Sequence, residues 1–150
     1  MSHITKLRIA VATLGFAIAG VPAGAQEAPP AALLGDFADD YGNTYSVTAK
    51  EWRQGAAGGV YHIIAWHPRE RYMIVHNAPE NTSHPDRYSR IDWVTFADQP
   101  EYSWGFCYSA YKEATPEAAE AKGKVDRAAP KTGCNGFPFS RMKSRTPTSG

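Results

Sequence analysis

The chain has 150 residues, 43 % hydrophobic and 12 % aromatic, with 16 Lys+Arg against 15 Asp+Glu. That near balance excludes a strongly basic nucleic-acid binder and a polyacidic tail. The length allows one domain with a sizeable core.

Residues 1–25 read as an export signal of bacterial type. Lys6 and Arg8 precede an apolar run from Ile9 to Ile18, and Ala23-x-Ala25 supplies the small residues of a cleavage site. Cleavage before Gln26 removes two cations and no acid, so 14 cations face 15 acids and the formal charge turns from +1 to −1. The apolar run is too short to span a bilayer, so no transmembrane segment is expected. No Cys stands at the cleavage point to carry a lipid. The expected location is periplasmic or secreted.

Gln26 to Ala32 reads as a flexible spacer, residues 33–142 as a single domain, and residues 143–150 as a flexible tail. Gly35 to Tyr41 is a short strand with Phe37, Asp39 and Tyr41 on one face. After a turn at Gly42-Asn43, Thr44 to Thr48 resumes, and a short piece from Glu51 to Gln54 follows. Val60 to Trp66 and Arg71 to Asn77 flank His67-Pro68-Arg69-Glu70 as a hairpin. The polar loop Ala78 to Arg87 leads to a strand from Tyr88 to Phe96. Tyr102 to Ser109 alternates most cleanly: Tyr102, Trp104, Phe106 and Tyr108 lie on one face, and Ser103, Gly105, Cys107 and Ser109 on the other. Thr115 caps a short helix, Pro116 opens it and Gly123 ends it. A last strand runs from Phe137 to Met142.

The pattern predicts a mainly β fold of about seven or eight short antiparallel strands and one helix. A small antiparallel barrel is preferred because closure removes exposed edges, with a two-sheet sandwich as the other arrangement. The two cysteines, Cys107 and Cys134, lie 27 positions apart. An even count in an exported chain predicts a disulfide.

Several pieces resemble a group of uncharacterised bacterial secreted proteins. They are Gly35-Asp-Phe-Ala-Asp-Asp-Tyr-Gly42, Ser89-Arg-Ile-Asp-Trp93, Phe106-Cys-Tyr108 and Gly133-Cys-Asn-Gly-Phe-Pro138. The resemblance covers most of residues 35–142. It implies a shared fold and the disulfide, and no activity. The opening Gly35-x-Phe37 is also similar to the Gly-x-Trp that starts a lipocalin's first strand. The stretch from Gly35 to Ala49 is similar to the first hairpin of avidin-like proteins. This calycin-type likeness implies a barrel. The later tryptophan motifs of the biotin pocket have no counterpart here, so no binding residue is carried over.

The segment from Val60 to Asn77 carries His62 and His76. With an odd hairpin loop they face each other and offer two ligands for Zn²⁺ or Cu²⁺, with Asp92 or His84 as a third; with the even four-residue loop they lie on opposite faces. Arg90 and Asp92 share a strand face with Tyr88, as an ion pair that either orients a ligand or locks the wall. Asp36, Asp39 and Asp40 lack calcium-loop spacing and read as a solvated strand end. Asn81-Thr82-Ser83 fits a glycosylation sequon formally and reads as loop polarity. No nucleophile signature is present, and the sequence leaves any cofactor unknown. The aromatic strand faces point to non-enzymatic binding of a small apolar or aromatic ligand, or of an envelope partner. Tyr88, Arg90, Asp92, Trp104 and Tyr108 are the candidate contacts. The alternative is a metal-binding protein or metal-dependent enzyme using His62 and His76. The oligomeric state is not encoded in any motif.

Overall fold

The computed structural model describes residues 26–56 and 58–146. The signal-like segment 1–25 lies outside them. Eight strands follow in chain order: β1 (Gly35–Asp39), β2 (Thr44–Val47), β3 (Glu51–Gln54), β4 (Val60–His67), β5 (Tyr72–Asn77), β6 (Tyr88–Thr95), β7 (Trp104–Glu113) and β8 (Ser140–Ser144). Each pairs antiparallel with the next, and β8 pairs back onto β1. The sheet therefore closes into an eight-stranded barrel, and the sandwich alternative is excluded.

Alternation explains the interior. Phe37, Tyr45, Trp52, Met73, Ile91, Trp93, Trp104 and Phe106 point inward and are buried. All four tryptophans are at most 3 % exposed. Their rings meet edge to face: Trp52 and Phe106 at 5.0 Å between centroids, Phe37 and Trp104 at 5.1 Å. This is the favoured contact of quadrupolar rings. An eight-stranded barrel has an interior just wide enough for side chains, and here aromatics fill most of it.

Leu33, in a short 3-10 turn from Ala31 to Leu33, joins the same core at 2 % exposure. It plugs the barrel end at which β1 begins. Just before it, Gln26 donates to the Ile64 carbonyl and Glu27 pairs with Arg69.

Three register shifts set the ladders, one between β4 and β5 and two between β6 and β7. His67 pairs with Tyr72 across a four-residue turn, yet His62 pairs with His76. The extra residue is Ile64, which shifts the ladder by one and returns Trp66 to the interior while His62 stays outside. On β7, Ile91 pairs with Tyr108 and Arg90 with Ala110, so Ser109 is inserted.

One sector of the outer wall is covered by α1 (Pro116–Lys122) and the connection that follows it. Thr115 accepts the Ala118 amide and Pro116 opens the helix, as the sequence suggested. Ala119 is buried against Tyr72, Ile74 and Ala110. Gly123 ends the helix at φ −65, so handedness does not demand a glycine there. A Cβ would collide with the Arg90 side chain, and that close approach does. The expected disulfide is present: Cys107 on β7 bonds Cys134 in the connection, with Cα atoms 5.6 Å apart. Val94, Val125 and Phe139 pack around it.

Some boundaries differ from expectation. β1 stops at Asp39, and Tyr41 is 69 % exposed in the turn. The cause is Asp39, whose Oδ1 accepts the Tyr41 and Asn43 amides and thereby bends the chain. Its Oδ2 accepts the Tyr45 hydroxyl at 2.8 Å inside the barrel. Asp39 is therefore a buried turn organiser at 4 % exposure, not part of a solvated strand end. The last strand begins at Ser140 and runs to Ser144, because Phe137 to Cys134 is taken up by an isolated bridge.

Candidate functional site

Opposite the plugged end, the barrel interior opens into a cavity of about 250 Å³. Tyr61 of β4, Asn77 of β5, Ser89 of β6 and Tyr108 of β7 line it, and Ser83, His84 and Tyr111 form its rim. Each wall residue lies at an inward strand position near the end of its row. Asn77 follows Met73 and Val75, and Ser89 precedes Ile91 and Trp93. The interior thus turns from apolar to polar at this mouth.

The loop between β5 and β6 is tied down by side-chain amides. Asn77 donates to the His84 carbonyl at 2.9 Å and to the Tyr111 carbonyl at 3.4 Å, and accepts the Ser89 hydroxyl at 2.7 Å. Asn81 exchanges two 2.8 Å bonds with the Val60 backbone, standing in for a strand neighbour. At 8 % exposure, the sequon asparagine is thus a structural amide. His84 and Asp86 adopt positive φ of 49 and 53, conformations held only where surrounding bonds enforce them. The His84 ring leans on Tyr111 at 5.3 Å.

The cavity floor is aromatic and polar at once. Tyr108 contacts Tyr61, Phe106 and Trp52 at centroid distances of 5.6, 5.5 and 6.4 Å. Its hydroxyl oxygen is buried beside the Tyr61 hydroxyl and the Trp52 indole N–H, without a well-formed hydrogen bond to either. Burial pushes the Tyr108 phenol well above its ordinary pKa, with the Tyr61 and Tyr45 phenols adding to the effect. Tyr108 is therefore a neutral donor and acceptor at working pH. Unpaired buried polar atoms are costly, and they mark positions where a ligand's own polar groups fit.

The other candidate contacts lie elsewhere. Trp104 sits in the solid core at 1 % exposure. Arg90 and Asp92 are on the outer wall, beneath α1. Asp92, fully buried, accepts two bonds of 2.9 Å from Arg90, one of 2.6 Å from Arg127 and one from Ser109. Arg90 also donates to the Glu120 carbonyl and stacks over the Tyr72 ring at 3.8 Å. Arg127 further donates to the carbonyls of Trp93, Glu70 and Arg71. These bonds tie wall, helix and connection together, which makes the cluster a clamp. Tyr88 lies on the outer wall too, tilted against His76 at 5.0 Å.

His62 and His76 are cross-strand partners on the outer wall. Among the described residues no three His, Cys, Asp or Glu side chains converge as a metal cluster. Neither Asp92, under its arginines, nor His84, at the mouth, completes a triad with them.

A larger cleft of about 320 Å³ lies on the outside of the wall, between Tyr41, Phe96, Pro138 and Phe139. Two of its three charged groups, Asp40 and Arg141, are paired with each other at 2.8 Å, and Lys131 is the third. The mouth is smaller, and the Tyr108 hydroxyl beside it is buried without a well-formed hydrogen bond, as is the Trp104 indole N–H in the solid core.

The architecture, an up-and-down closed antiparallel barrel of eight strands, is compatible with the calycin-type barrels that the opening hairpin resembles. Comparison with known proteins adds no closer relationship: no family model matches the chain, and no curated protein or solved structure does either. No helix among the described residues is long and apolar enough to cross a membrane.

Proposed function

We propose that the chain is an exported, non-enzymatic binding protein that takes a small, neutral, flat ligand into the barrel mouth. The observation that carries this reading is a cavity at the barrel mouth walled by Tyr61 and Tyr108, with the Tyr108 hydroxyl buried behind it. Tyr61 and Tyr108 offer faces for stacking, while Asn77 and Ser89 supply polar edges. The volume lies below the roughly 300–1,000 Å³ of drug-sized pockets, which favours a ligand of one or two rings. Among the described residues no lysine or arginine lines the mouth and His84 is the one basic side chain at its rim, which favours a neutral ligand. The disulfide and the signal-like segment support export to an oxidising compartment.

The test is a thermal-shift screen of small neutral aromatics on the purified chain, followed by calorimetry. A specific ligand raises apparent stability by mass action. Its affinity is expected to fall in Tyr108→Phe and to be unchanged in Arg141→Ala, in the outer cleft. A ligand indifferent to Tyr108 would overturn the reading. Export is tested by N-terminal sequencing of protein recovered from the periplasm, where Gln26 is expected as the first residue.

A further inference from the structure

We infer a second site, on the outer wall rather than in the mouth: His62 and His76 form a two-imidazole site for a borderline divalent cation, Zn²⁺ or Cu²⁺.

The Ile64 bulge makes it. The four-residue turn alone pairs His62 with Asn77 and points the two imidazoles to opposite sides of the wall. One inserted residue brings His62 opposite His76 on the same, solvent-facing side. The bulge is itself secured, because Gln26 takes up the Ile64 carbonyl at 3.0 Å.

Side chains directly opposite on antiparallel strands have Cβ atoms about 4.5–5.5 Å apart. Imidazole nitrogens bind zinc at about 2.0–2.1 Å. Rings on two such neighbours are within reach of one ion by χ rotation. His62 is exposed and His76 half-buried, so both are reachable from solvent.

Carboxylates flank the pair on both sides. Asp86 Oδ1 lies 3.7 Å from His76 Nε2, and Glu51 is the β3 partner of His62. Glu51 is already paired with Arg53 at 2.8 Å, so Asp86 is the carboxylate that lowers the electrostatic cost of a dication at the wall, and water completes its shell. Neutral imidazole suits zinc and copper, and the Irving–Williams order places copper above zinc. The affinity is that of a two-ligand site, well below a closed four-ligand one.

The test is a Zn²⁺ titration of the purified chain by calorimetry. It is run in a His3→Ala background, which removes the histidine outside the described residues. One equivalent of zinc is expected to bind. Removing a direct ligand costs at least as much as removing a supporting group, so His62→Ala and His76→Ala are each expected to lose at least about ten-fold in affinity. His84→Ala, at the mouth, is expected to bind as the parent does. Copper electron paramagnetic resonance on the same protein is expected to show two equatorial nitrogens, and one or none in either variant. Because His62 is exposed, its variant is expected to melt as the parent does without metal, which separates lost binding from lost fold. Absence of saturable zinc binding, or binding indifferent to both substitutions, would overturn the inference.

Discussion

Arg127 reaches back 35 residues from the connection after α1 to Asp92 on β6, and its guanidinium sits 2.6 Å from the carboxylate. Burial lowers the Arg127 pKa, an effect that the Asp92 charge opposes. Arg90 holds the other side of the same carboxylate at 2.9 Å. One buried acid thus fastens two cations, and through them the helix and connection, to the wall. Asp92→Asn keeps the shape and removes the charge. Breaking a buried pair from one side costs roughly 3–5 kcal/mol, because the partner charges are left uncompensated. The expected Tm fall is roughly 10–20 °C. Urea denaturation checks it, and a loss below about 1 kcal/mol, the level of a surface pair, would show the clamp to be marginal.

The disulfide fastens the same connection at a second point. Cys107 and Cys134 close a loop of 27 residues. In the chain-entropy account, opening it releases about 3–4 kcal/mol of unfolded-state freedom. The Cys107→Ala, Cys134→Ala double variant is expected to unfold at correspondingly lower urea. The parent assayed in reductant should match it. A double variant as stable as the parent would mean that the bridge constrains nothing the clamp does not already hold.

Three phenols make stability fall at alkaline pH. Burial raises the pKa of Tyr45, with the Asp39 hydrogen bond adding to it. Burial likewise raises Tyr72, with Glu120 adding, and Tyr108. Each keeps its proton in the folded state after it has lost it in the unfolded chain, whose phenol pKa is about 10. Above that pH the unfolded chain binds fewer protons, so the stabilisation present below about pH 10 is lost as pH rises. Urea midpoints measured from pH 8 to 11 are expected to drop above about pH 10. Phenolate absorbance should show three of the eight tyrosines ionising only with unfolding. Full ionisation of all eight with the native circular dichroism intact would contradict this.

The barrel was legible because its inward rows alternate without interruption where it matters. Trp104, Phe106 and Tyr108 face inward while Cys107 faces its disulfide partner, as period two requires. Arg90 and Asp92 were legible as a pair for the same reason. Arg127 was not, since nothing local says that a cation so far along the chain folds back onto Asp92. The bulges at Ile64 and Ser109 were equally hidden. A bulge breaks period two at a place chosen by closure of the barrel, not by its own residue type. Loop length alone does not decide which side His62 and His76 take, because the Ile64 bulge reverses the parity that the four-residue turn sets. Asp39 looked solvated because its partners, the Tyr45 hydroxyl and two turn amides, exist only once the hairpin forms. Asn77 and Ser89 sit on inward positions, yet polar residues there become a mouth only when the opposite end is known to be plugged by Leu33.

Tyr108 sets stability against binding. Its hydroxyl is buried without a well-formed hydrogen bond. A buried polar group without a partner costs about 1–3 kcal/mol, and Phe fits the same aromatic nest without that group. Tyr108→Phe is therefore expected to raise Tm of the ligand-free protein, against the usual direction of core substitutions. The same change removes the polar contact the ligand would make, so ligand affinity is expected to fall by about ten-fold, the worth of one hydrogen bond of about 1.4 kcal/mol. Melting curves and calorimetry on one pair of proteins read both effects. Opposite signs support a hydroxyl retained for binding at a cost in stability. A fall in both would mean that Tyr108 holds the core together by its oxygen. A rise in Tm with unchanged affinity would remove Tyr108 from the site.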